Sequence, residues 1–189
     1  MAIPADIAKA LHGAWRLARF DRAGLAFFGH DEAAFIRSFG AAVIIYPAFL
    51  VLLALRLSDT EWQEADWLHI FLVETIGYVI AWVAFPLIMV PVTRFLLREH
   101  LWLDFIVVYN WSQVVQIGFV VIANGLAESG MLPSPLAAGI ASAVTLAVLG
   151  YQWFVARVAL DISGAAAVMI VLVDLVLGVF ISRVAQAWH

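Results

Sequence analysis

Five long apolar stretches dominate the chain, at roughly Phe39–Leu57, Trp67–Val92, Leu101–Leu126, Pro135–Ala159 and Ser163–Trp188. Each is close to the ~20 residues a helix needs to cross a ~30 Å hydrocarbon core, and each is nearly free of charge inside. Strands of a membrane barrel would alternate apolar and polar residues over about ten positions, and these stretches do not. The pattern predicts an all-α fold, a polytopic transmembrane helical bundle of five spans over residues 39–189. Pro86 and Pro91 fall inside the second stretch, where they are expected to kink the helix or end it early.

Residues 1–38 carry a different pattern. Ile7, Leu11, Ala14, Trp15 and Ala18 share one helical face, with Lys9, His12, Arg16 and Arg19 on the other. This spacing predicts a cytoplasmic amphipathic helix lying in the membrane interface, its basic side chains near anionic headgroups. It leads into the first span or docks a cytoplasmic partner. Asp21 and Asp31 are expected N-caps of further short helices, with Phe27 and Phe28 between them dipping toward lipid. Asp6, Lys9, Arg16 and Arg19 interrupt the start of the chain, so no cleavable signal peptide is expected.

Composition agrees with a bilayer environment: 65% of residues are hydrophobic and 13% charged, against about half and a quarter in soluble domains. The ten basic residues then set the orientation. Lys9, Arg16, Arg19, Arg22, Arg37, Arg94, Arg98 and Arg157 fall on one side, and only Arg56 and Arg183 on the other. The first loop of that second side carries Asp59, Glu61, Glu64 and Asp66. The positive-inside rule therefore places the N-terminus in the cytoplasm and the C-terminus outside. A net charge of −4 excludes a nucleic-acid partner, since such binding draws its affinity from Lys and Arg. The chain has no cysteine, which removes disulfides and thiolate metal sites.

Polar groups within the spans are the informative residues, because leaving them unpaired in hydrocarbon is costly. They are Glu74, Asn110, Gln113, Gln116, Gln152 and Asp174. A rise of ~1.5 Å per residue from the cytoplasmic edge puts Asn110 level with Gln152, Gln113 with Asp174, and Gln116 with Glu74. The expected arrangement is a ladder of three polar pairs around a central third span. It serves either to hold the helices together or as a proton or solute path through Glu74 and Asp174. Arg157 and Asp161, four apart at a cytoplasmic turn, are expected to pair; alternatively Arg157 holds a lipid phosphate. Arg94, Arg98 and Arg157 complete the basic membrane surface.

No cofactor or metal is expected. His69 and His100 lie at opposite membrane edges, and His12, His30 and His189 outside the spans, which suits neither haem nor a paired-histidine zinc site. No histidine is spaced to activate Ser112, Ser142 or Ser163 as a nucleophile. Trp62, Trp67, Trp102 and Trp188 fall at interfaces, as aromatic belts do, while Trp82, Trp111 and Trp153 are placed deeper as packing residues. Gly139 with Ala143, and Ser163 with Ala167, are spaced for close helix approach.

The five-span layout, the N-terminal amphipathic segment and the segment Tyr151–Leu177, reading YQWFVARVALDISGAAAVMIVLVDLVL, resemble the Yip-type family of Rab-interacting membrane proteins and its bacterial branch. The Asp-Leu-Tyr-Gly-Pro signature of the eukaryotic members is absent, so no functional residue carries over. The resemblance implies a membrane-organising or partner-binding protein. The expectation is thus a non-enzymatic accessory or scaffold component of a bacterial inner membrane, associating with other membrane proteins or with itself. The alternative is a small permease or proton-linked channel built on Glu74 and Asp174. An enzyme acting on lipid ranks third, since no nucleophile accompanies the arginines.

Overall fold

The computed structural model describes residues 3–56, 66–128 and 132–188. Among them the regular elements are all helical: α1 (Ile3–Ala18), α2 (Glu32–Ser38), α3 (Gly40–Arg56), α4 (Trp67–Phe95), α5 (Trp102–Glu128), α6 (Ser134–Ala159) and α7 (Gly164–Gln186), with 3-10 turns at Arg22–Phe27 and Glu99–Leu101. Five helices are long and apolar enough to cross a membrane, so the chain is a multi-pass membrane protein. Asp59, Glu61, Trp62, Glu64 and His189 lie outside the described residues.

The first spanning stretch starts earlier than its hydropathy indicates, at Glu32, because α2 runs into α3 with a break only at Phe39. The second does not end at its prolines. α4 continues through Pro86 and Pro91 to Phe95, since each proline removes one backbone bond from a helix that its neighbours hold.

α5 is the centre of the bundle. It packs against α1, α2, α3 and α6, and 44% of its most apolar stretch is buried against 22% or less in the other spans. Four consecutive residues, Phe105, Ile106, Val107 and Val108, are all buried. A helix covered on one side alone would bury only every third or fourth position. α6 and α7 pack closely where Gly164 meets Trp153, whose indole Nε1 donates to the Gly164 carbonyl at 2.9 Å. The expected contact at Gly139 is not made, for open space surrounds that position.

α1 packs its small residues onto the bundle, with Ala10, Ala14 and Leu17 buried and the Ala14 carbonyl accepting a 2.7 Å bond from Tyr151 Oη. Trp15 lies at the edge of this face, half exposed and stacked on Phe119 at 6.1 Å. Asp21 and Asp31 cap the elements that follow, accepting from the Ala23 and Ala34 amides. Phe27 and Phe28 do not project outward as expected. A Cβ on Gly13 would lie 2.8 Å from Phe27 Cβ and 2.9 Å from Gly24 O, so two glycines let the turn press onto α1, and both rings pack there.

Three helices, α1, α4 and α6, end alike. Phe20, Leu97 and Asp161 take left-handed φ values of 58°, 57° and 49°. The amides of Asp21, Arg98 and Ile162 then reach back to the carbonyls of Arg16, Thr93 and Arg157, closing the last turn as a Schellman cap does. Asp161 joins these ends, pairing with Arg22 at 3.5 Å while its carbonyl accepts from Arg98 Nε at 3.2 Å. The expected Arg157–Asp161 pair is not formed. Helical geometry stops at Ala159 and the left-handed turn takes Asp161 off the face that an i, i+4 pair requires; Arg157 instead lies over the Trp153 ring at 5.3 Å. At the other end of the bundle, His69 Nε2 is 2.6 Å from the Trp188 carbonyl.

Candidate functional site

Asp174 on α7 is the focus of the polar groups within the spans. Its Oδ1 accepts from Tyr109 Oη on α5 at 2.8 Å, and its Oδ2 accepts from Gln152 Nε2 on α6 at 3.0 Å. One carboxylate thus joins three spans. The rise per residue placed Gln152 about one helical turn from the level of Asp174, yet the two meet. Side chains lean toward their own helix N-terminus, and α6 and α7 run in opposite directions, so Gln152 and Asp174 lean toward each other.

Gln113 does not pair with Asp174; Tyr109, one turn earlier on α5, takes that position. Asn110 does not pair with Gln152 either. It donates from Nδ2 to Ser38 Oγ at 2.9 Å, and Ser38 in turn donates to the Phe35 carbonyl at 2.7 Å, so α5 clamps the break between α2 and α3. Glu74 is buried on α4 but is not part of the wall described next.

That wall lines a half-open cavity of ≈ 380 Å³ to which all five spans contribute. α3 supplies Ile45, α4 supplies Tyr78 and Trp82, and α5 supplies Tyr109, Asn110, Gln113 and Gln116. α6 adds Gln152, and α7 adds Asp174 and Gly178. Five of the six predicted intramembrane polar residues therefore line one space, but of the expected pairs none forms, and only Gln152 among them bonds Asp174. Asn110 Oδ1 and Gln116 Nε2 are buried without a hydrogen-bond partner. Aromatic packing fixes the wall: Phe85 stacks on Tyr109 at 4.2 Å, Tyr78 lies 5.4 Å from Tyr46, and Tyr78 Oη donates to the Ala42 carbonyl at 2.7 Å.

Tyr78, Tyr109 and Ser38 were not singled out by sequence reasoning. The usable signal was the tyrosine itself, since a phenol within a span needs a partner for its hydroxyl.

Most basic residues sit elsewhere, toward the end of the bundle where α1, α4 and α6 terminate, while Arg56 and Arg183 close α3 and α7 at the other end. Lys9, Arg19, Arg94 and Arg157 are exposed, and Arg16 donates from Nε to Asp21 at 2.7 Å. That bond, with the Ala23 amide bond behind it, holds the Asp21 carboxyl below its usual range. Among the described residues no group of three His, Cys, Asp or Glu is placed to hold a metal ion. No family model, curated protein or solved structure matches the chain.

Proposed function

We propose that the chain is a small permease or channel of a bacterial inner membrane, taking a small polar solute into the cavity between its five spans. The observation that supports this reading is the convergence of all five spans on one space whose wall carries a carboxylate, four amides and two phenols. Polar groups at this depth are expensive, and glue alone calls for pairs, not a shared cavity. Its volume falls within the range of small-molecule sites. The orientation follows from the basic residues, with the N-terminus cytoplasmic and the C-terminus periplasmic, and the polar face of α1 lies at the headgroups.

Purified protein reconstituted in liposomes tests the reading by stopped-flow swelling with urea or glycerol. Swelling faster than protein-free liposomes is expected, with loss in Gly178→Leu. Gly178 lines the cavity and a Cβ there would meet no atom within 4 Å, so leucine is chosen to add bulk at the wall. Equal swelling with and without protein would remove the proposal.

A second reading, an accessory or scaffold protein associating with other membrane proteins, is supported by an apolar groove of ≈ 420 Å³ along the α4–α7 seam, at Ile76, Gly77, Ile80 and Phe180. The Yip-type layout points the same way. A stoichiometric membrane-protein companion, captured in mild detergent by an N-terminal tag, would favour it.

A further inference from the structure

We propose that the occupant of the cavity is a small organic cation carrying N–H groups, held against Asp174. This deepens the solute-path reading and rests on it. Both hydrogen bonds at Asp174 run toward the acid, from a phenol and from an amide. The Gln152 amide nitrogen can only donate, and in its ionised form the carboxyl accepts at both oxygens. Two neutral donors orient that charge without cancelling it. The ion pairs among the described residues use other acids: Asp21, Asp31, Asp104 and Asp161. None of the chain's basic side chains pairs with Asp174 there, and an uncompensated charge within a membrane is costly. A cation entering the cavity supplies the missing complement.

The rest of the wall suits a cation with N–H groups. Tyr78 and Trp82 line the space, and aromatic faces attract cations. Asn110 Oδ1 is a carbonyl acceptor without a partner, and Gln116 keeps a free amide nitrogen. Both atoms are shielded in the present rotamers, so a ligand engages them when the amides turn inward.

Guanidinium and urea, nearly the same shape and different in charge, separate this inference from the reading beneath it. Radiolabelled uptake of each, at submillimolar concentration, is measured in proteoliposomes of phosphatidylethanolamine and phosphatidylglycerol. Guanidinium is expected to enter faster than urea, and its uptake to fall about tenfold in Asp174→Asn, the factor given by loss of a ~1.4 kcal/mol contact. Far-ultraviolet circular dichroism and size-exclusion elution matching the wild type control for folding of that variant. Tyr109→Phe, which keeps the acid, is expected to keep the preference for guanidinium. Wild-type protein passing both probes equally overturns the cation inference and leaves the solute path standing, whether or not Asp174→Asn folds. A guanidinium preference that survives Asp174→Asn also overturns it. Neither probe exceeding protein-free liposomes overturns both.

Discussion

Tyr109 and Asp174 lie 65 residues apart on different spans, and the phenol donates to the carboxylate at 2.8 Å. The bond ties the central helix α5 to α7, which otherwise packs mainly on α4 and α6. Tyr109→Phe keeps the ring stack on Phe85 and deletes only the donor. Interhelical bonds in membranes average about 0.6 kcal/mol and reach about 1.7, and this one, made to a charge-bearing group, is expected near the upper end. Reversible unfolding by sodium dodecyl sulfate in mixed micelles measures it. A loss indistinguishable from zero would mean the bond does not hold the spans together.

The Gly13–Gly24 crossing predicts a sharper effect. A Cβ at Gly24 would lie 2.6 Å from the Gly13 carbonyl oxygen, which is backbone and cannot step aside. Gly24→Ala is expected to cost about 1–3 kcal/mol, as overpacking does, and to lift the turn at Arg22–Phe27 off α1. Limited proteolysis in detergent should then cut within residues 19–30 much faster than in the wild type. Unchanged protection would show that the turn does not depend on this contact.

Leu97 offers the opposite test. Its left-handed backbone carries a penalty of roughly 1–2 kcal/mol for a residue with a Cβ, and its side chain is 79% exposed. Leu97→Gly is expected to raise stability by part of that penalty, with the cap bond from the Arg98 amide kept. Phe20→Gly is not equivalent, because the Phe20 ring packs 5.1 Å from Phe154. A Leu97→Gly protein less stable than wild type would contradict the assignment of strain.

The Arg16–Asp21 pair gives a pH dependence of known sign. The folded carboxyl titrates below its ordinary value of 3.8, chiefly through the Arg16 bond. Its contribution is therefore present above that ordinary value and is lost as pH falls through the lower, folded one. Hydrogen exchange at the Ala23 amide should accelerate relative to neighbouring amides on acidification below about pH 4. In Asp21→Asn that acid step should vanish; its persistence would assign the effect to another group.

Much of this fold was legible in the sequence because a bilayer imposes a simple rule, a run of apolar residues long enough to cross. The number of spans and the identity of the polar residues within them follow from it. What the rule omits is direction and reach. Counting rise per residue set Gln113 opposite Asp174, but helices running in opposite senses lean their side chains toward or away from one another, so Gln152 and Tyr109 met the acid instead. Arg157 and Asp161 failed to pair for a similar reason, since the spacing was helical and the backbone there is not. The close approach of Gly13 to Gly24 joins two elements whose angle no periodicity encodes. The cavity itself is a product of five helices at once: five of its polar residues were legible in the sequence, but not that they share one space.

The central claim, that the space between the five spans is hydrated, is tested most directly by cysteine labelling. The chain has no cysteine, so Gln113→Cys places a single thiol in the cavity wall and Ile122→Cys places one on the same helix where the side chain is 69% exposed, facing lipid in the proposed arrangement. With a water-soluble, positively charged methanethiosulfonate reagent on proteoliposomes, Gln113→Cys should react readily and Ile122→Cys slowly. Protection of Gln113→Cys equal to that of Ile122→Cys would contradict a hydrated cavity and leave the polar residues as helix packing alone.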